Sequence, residues 1–97
     1  MLTKEQIQTA SSALFVLEHE GATFSPNCTP SQGLSAREAC EYLREPEAED
    51  DSYVVEFREE AVAFTIQFDA TELAAQPAEC IARAMMVRRA LINMSSN

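Results

Sequence analysis

The sequence predicts an α+β fold: three helices packed on a small antiparallel β-hairpin sheet, in the order α-α-β-β-α. Three observations predict it. Apolar residues recur at three- and four-residue spacing near both ends of the chain. They alternate over two segments between residues 53 and 68. Boxes of the Ser/Thr-x-x-Gln/Glu kind stand ahead of the first two helical stretches.

Thr3 reads as a helix N-cap, with Gln6 at the capping-box position and Leu2 and Ile7 as a hydrophobic staple. Ile7, Ala10, Leu14 and Leu17 then form a stripe that Ala13 and Val16 widen, and Gly21 stops the helix. The first helix is thus expected from about Lys4 to about Glu20. Residues 22–34 hold Pro26, Asn27, Pro30, Ser31 and Gly33 and read as an irregular loop, with Phe24 and Leu34 as anchors onto the core. Ala22-Thr23-Phe24-Ser25 has the composition of a short strand before the first proline. Ser35 with Glu38 begins the second helix, whose inner positions are Ala36, Ala39, Cys40 and Leu43. It ends before Pro46, because a residue preceding proline avoids helical geometry.

Tyr53–Phe57 and Val62–Phe68 alternate as strands of a hairpin turning near Glu59-Glu60. Val62, Phe64, Ile66 and Phe68 share one face. The turn holds neither glycine nor asparagine, so a four-residue connection is expected over a tight primed turn. Asp69 with Glu72 caps a short helical turn. Pro77 suits the first position of the last helix, with Cys80, Ala84, Val87, Leu91 and Met94 in one stripe and Ile81, Met85 and Ile92 beside it. Arg83, Arg88 and Arg89 stand late in that helix, where cations suit its dipole.

Ninety-seven residues make one domain, spanning 1–97. A chain of that size buries roughly two-thirds of its unfolded surface and needs no covalent staples. Three cysteines, Cys28, Cys40 and Cys80, form no C-x-x-C pair, which points to a reducing, cytoplasmic setting and to thiols that behave as small hydrophobes. No basic region precedes an apolar run at the start of the chain, and no apolar stretch approaches the roughly 20 residues of a membrane span. Asn27-Cys28-Thr29 spells a glycosylation sequon that has no secretory context.

No constellation for catalysis stands out. The single histidine, His19, falls in the last turn of the first helix, where it suits the dipole. The serine pairs lie outside any nucleophile-elbow pattern, and two glycines are too few for a phosphate loop. Glu47-Ala48-Glu49-Asp50-Asp51 is rich in carboxylates but lacks the central glycine and the length of a calcium loop. A non-enzymatic chain without metal or cofactor is expected.

Charge is the outstanding feature. The net charge is −9, and ten of sixteen acids lie between Glu38 and Glu60, against two arginines there. Such a field repels nucleic acid and anionic membrane and attracts basic proteins. Runs of charge ordinarily form a solvated face. The functional reading is a partner-binding face: Glu38, Glu41, Glu45, Glu47, Glu49, Asp50 and Asp51, extended by Glu56, Glu59 and Glu60, imitating a short run of phosphates. The expected partner is a basic, nucleic-acid-handling protein. By size and charge alone, small anti-CRISPR, anti-restriction and nuclease-immunity proteins are analogous. The alternative is a dimeric assembly module, such as a small chaperone or regulator, joined through a hairpin edge or the last helix. The acidic reading turns on whether these segments share one face.

Overall fold

The computed structural model describes residues 1–27 and 32–95, so Cys28 and Thr29 of the sequon lie outside the described residues. In the first helix, α1 (Lys4–His19), the Gln6 N–H donates to the Thr3 hydroxyl at 3.1 Å and the Thr3 N–H donates to Gln6 Oε1 at 2.8 Å. Two of the amide donors that every helix start leaves open are thereby satisfied. Ala10, Ala13, Leu14 and Leu17 are buried along the expected stripe, and Ile7 packs at its margin. Val16 does not join them and is 45% exposed. At roughly 100° per residue it falls past the edge of the stripe centred on Leu14 and Leu17.

The short strand is real: β1 (Thr23–Pro26) pairs antiparallel with β2 (Ser52–Glu59), which pairs antiparallel with β3 (Val62–Asp69). Among the described residues the sheet therefore has three strands in the order β1-β2-β3, not the two of a lone hairpin. Phe24, opposite Val55, is fully buried, and burying such a side chain contributes about 1.5–3 kcal/mol. A two-stranded sheet would leave that surface wet. On β1's other side, Leu34 forms an isolated antiparallel bridge with Phe24, so the loop anchors do meet.

The hairpin turn departs from expectation. Glu59 pairs directly with Val62, leaving only Glu60 and Ala61 between the strands. Glu60 takes φ 54°, the left-handed value that the first central position of a tight turn requires. Eight consecutive cross-strand pairs fix this register, so the long ladder overrides the poor turn chemistry.

The second helix, α2 (Ala36–Tyr42), is shorter than its expected span, and the chain continues through turns into a single 3-10 turn at Ala48–Asp50. Its inner positions Ala36, Ala39, Cys40 and Leu43 are all buried. A six-residue helix, α3 (Ala70–Ala75), follows β3, and α4 (Pro77–Ser95) begins at the expected proline. The structure is α+β, with four α-helices among the described residues. The stripe of α4 is buried at Cys80, Ala84 and Leu91 and half-buried at Val87, whereas Met94 is 48% exposed because the last turn runs past the sheet.

One core joins the layers. Tyr53, Val55, Phe57 and Phe68 on the inner sheet face pack with Leu14, Leu17, Leu43 and Leu73 from the helices. The register puts Ser52, Val54, Glu56 and Arg58 on the opposite face, beside Asp69, Gln67, Thr65 and Ala63.

Two poles follow from this layout. Glu18 Oε2 accepts from the Ala36 N–H at 2.7 Å, so α2 starts beside the end of α1 and runs back along it. The N-terminal ammonium of Met1 meets Glu49, which puts the start of α1 at the pole where the 3-10 turn enters β2. Glu20, Gly21, Glu59, Arg88 and Ile92 gather at the other pole, around the hairpin turn. Among the described residues no helix is long and apolar enough to cross a membrane.

Candidate partner-binding site

The ten acids do not form one face. From Asp51 to Glu59 the chain runs the length of β2, roughly 26 Å at about 3.3 Å per residue. Glu59 and Glu60 therefore lie at the pole opposite to Glu47, Glu49 and Asp50. Seven acids, Glu38 to Asp51, follow α2 and its exit turns into the first pole, and three sit on the hairpin.

Consecutive turns hold the first group together. Arg44 and Glu45 donate to the carbonyls of Glu41 and Tyr42, Ala48 donates to that of Glu45, and Asp50 to that of Glu47. Each is a tight four-residue turn, so the chain advances little while presenting a new acid. Ala48 is fully buried and pins this segment to the core, and the Ala70 N–H donates to the Asp51 carbonyl, tying it to the start of α3. Glu45, Glu47 and Asp50 are exposed, and no ion pair among the described residues engages them.

Other members of the group are occupied. Glu38 closes the capping box of α2, accepting from the Ser35 N–H at 3.0 Å while its own N–H donates to the Ser35 hydroxyl at 3.2 Å. The Ser35 N–H, then the hydroxyl, holds the Glu38 carboxyl below the ordinary carboxylate range. Glu41 lies 3.7 Å from Arg44, both well exposed, a pair of little energetic consequence. The hydrogen bond from the N-terminal ammonium lowers the Glu49 carboxyl, and its second oxygen is shielded from solvent without a hydrogen-bond partner. Asp51 is half-buried.

Two acids at or beside the hairpin, Glu56 and Glu20, meet cations. Arg58 lies 3.3 Å from Glu56, whose side chain is only 13% exposed, and Arg88 lies 3.9 Å from Glu20 while donating to the Glu20 carbonyl at 3.0 Å. The hairpin end thus holds Arg58 and Arg88 among Glu20, Glu56, Glu59 and Glu60, so acids outnumber arginines at both ends.

One surface inverts that sign. An open groove of about 600 Å³ runs along α1, floored by Ile7, Ser11 and Phe15 and bordered by Lys4 and Arg44, its only charged residues. Sequence reading missed it, because Arg44 arrives from the end of α2, forty positions from Lys4.

No catalytic grouping emerges among the described residues. His19 is exposed at the end of α1, and Ser12 donates back to the Gln8 carbonyl at 3.0 Å within its own helix. Cys40 and Cys80 are free thiols whose burial pushes both upward, away from the thiolate. Among the described residues no three His, Cys, Asp or Glu side chains come together as metal ligands would. The chain matches no family model, no curated protein and no solved structure.

Proposed function

We propose that this chain is a non-enzymatic protein ligand that engages a basic partner through the acidic pole built from Glu41, Glu45, Glu47 and Asp50. The observation that supports this reading is the run of tight turns after α2, which presents exposed carboxylates in close succession on a segment anchored by buried Ala48. Rigid placement matters, because a preorganised charge surface loses less conformational entropy on binding than a flexible acidic tail. The partner class is an arginine- or lysine-lined groove of a nucleic-acid-handling protein, as for an anti-CRISPR, anti-restriction or nuclease-immunity protein. Two buried unpaired thiols suit a reducing, cytoplasmic setting.

The hairpin acids Glu56, Glu59 and Glu60 have no part in this surface, which sharpens the test. Tagged wild-type chain and the E45K/E47K/D50K variant are used side by side to capture proteins from the producing cell at low and high salt. The expected result is a basic protein retained by the wild type, lost from the triple variant, kept by an E59K/E60K variant and released by salt. Equal retention by the wild type and both variants would overturn the proposal.

A further inference from the structure

The groove along α1 is bordered by positive charge on a chain whose net charge is −9. Lys4, Gln8, Ser11 and Phe15 follow one another at four- and three-residue steps, so they share one face of the helix. Ile7 and Ser12 flank that face, which is turned away from the buried stripe of Ala13 and Leu17. From Gln8 to Leu17 the helix carries no charge at all. Phe15 nevertheless stands 48% exposed there, an aromatic ring left facing water.

The two ends of the groove differ in kind. The start of α2 meets Glu18 and Cys40 lies against Ser11, so α2 runs along α1 towards its beginning. Arg44, one turn of chain beyond Cys40, therefore stands past Ser11 on the Lys4 side. Both cations mark one end and Phe15 marks the other, about 16 Å along the helix axis. Glu41 lies 3.7 Å from Arg44 but does not line the groove, and Lys4 has no ion pair among the described residues. Two cations set against one acid leave a single positive charge uncompensated.

We infer that this groove binds a fatty-acid carboxylate, its head between Lys4 and Arg44 and its alkyl chain running over Ile7 and Ser11 to the Phe15 ring. Charge complementarity selects the head. One uncompensated cation matches a single carboxylate, whereas a phosphate monoester brings close to two negative charges at neutral pH. Guanidinium and ammonium donors hold a carboxylate through charge-assisted hydrogen bonds. The uncharged stretch from Gln8 to Phe15 selects the tail, since an acidic helix laid there would set further carboxylates against an apolar floor. Size selects a small ligand over a protein. The groove's volume of about 600 Å³ falls within the roughly 300–1,000 Å³ of small-molecule sites. Its seven lining residues fall well short of the roughly 20–30 that a protein partner covers on each side.

Dodecanoate below its micelle concentration is the probe, titrated by calorimetry and by amide NMR. Dodecanol and protonated dodecylamine serve as neutral and cationic chains of the same length. The wild type is expected to bind one dodecanoate, with shifts over Gln8–Phe15 and at Arg44, and to hold the other two chains at those residues about tenfold more weakly. K4E/R44E changes exposed side chains only, so it is expected to keep wild-type circular dichroism and to reverse the preference towards dodecylamine. F15S is expected to weaken dodecanoate while leaving its preference over dodecylamine in place. Absence of saturable dodecanoate binding, equal binding of dodecanol, or indifference to K4E/R44E would overturn the inference. So would a wild-type dimer dispersed by K4E/R44E, or an acidic helical peptide bound here with dodecanoate excluded. None of these outcomes decides the acidic pole, because Glu45, Glu47 and Asp50 do not line the groove.

Discussion

Phe24 and Leu34 exchange two backbone hydrogen bonds, the Phe24 N–H donating at 3.0 Å and the Leu34 N–H donating at 2.9 Å. This bridge adds a single residue of a fourth strand beside β1, and it decides which edge of the sheet stays open. Leu34 reaches that position because Gly33 turns the chain with φ +62°, a conformation that costs other residues roughly 1–2 kcal/mol.

Gly33→Ala is therefore expected to destabilise the fold by about 1 kcal/mol in urea denaturation. An added Cβ would meet nothing within 4 Å, so the cost is conformational and not steric. An unchanged midpoint would show that the loop does not hold Leu34 against the sheet.

A second backbone position predicts the opposite sign. Glu60 occupies a left-handed conformation with no glycine to ease it. Glu60→Asn keeps a residue that tolerates this region, and it is expected to raise stability by about 0.5–1 kcal/mol. Thermal melting of the two proteins in parallel checks it, and a lower midpoint would mean that the Glu60 carboxylate contributes more than the strain costs.

These positions also show what was legible in the sequence. Helices announced by their own capping boxes and stripes, α1 and α2, could be read because every contact that defines their starts is local. The two strands of the hairpin followed from alternation, but their register, with Phe57 opposite Phe64, did not, because the expected four-residue connection leaves Phe57 nearer Val62. Nor did the pairing of Thr23 with Glu56, since it joins segments more than thirty residues apart and depends on loop closure, which leaves no periodic trace. The acidic group divided for the same reason. Composition counts Glu47 and Glu59 in one block, but an intervening eight-residue strand carries them to opposite poles. Partial exposure of Phe64 and Ile66 was likewise hidden, because alternation reports a face and not whether a strand lies at an edge.

Tyr53 is the largest fully buried side chain, and its hydroxyl donates to the Ala39 carbonyl at 3.4 Å. Burial, reinforced by the nearby Asp51 charge, pushes its phenol well above the ordinary tyrosine value. The native state then keeps its proton where the unfolded chain has lost it, so stability is full below about pH 10 and falls as pH rises above it. In a Tyr42→Phe variant, which leaves Tyr53 as the only tyrosine, phenolate absorbance is expected to appear together with loss of circular dichroism. Ionisation clearly ahead of unfolding would contradict this burial.

The two thiols make a kinetic prediction. Cys40 and Cys80 are 8% and 1% exposed, and burial disfavours their thiolates. Alkylation at pH 8 is expected to be slow at both in the native protein and fast in denaturant. Peptide mapping after brief iodoacetamide treatment reads each site separately, and rapid native labelling of Cys80 would show that α4 opens readily from the core.

Glu38 supplies the acid-side counterpart. Its carboxylate, lowered by the Ser35 N–H and hydroxyl, binds its proton less readily in the fold than in the unfolded chain. Between the two values the unfolded state holds more protons, so this contribution is present above about pH 4.3 and disappears as pH falls through the native value. Glu38→Gln preserves the capping-box geometry and removes the titration. The stability difference between wild type and Glu38→Gln is expected to hold level through neutral pH and to shrink below pH 4. Ser35→Ala, which removes the N-cap oxygen itself, is expected to cost about 1 kcal/mol at neutral pH. Urea midpoints across that range separate the two effects: a wild-type–Glu38→Gln difference independent of pH would show that the carboxylate's charge contributes nothing to starting α2.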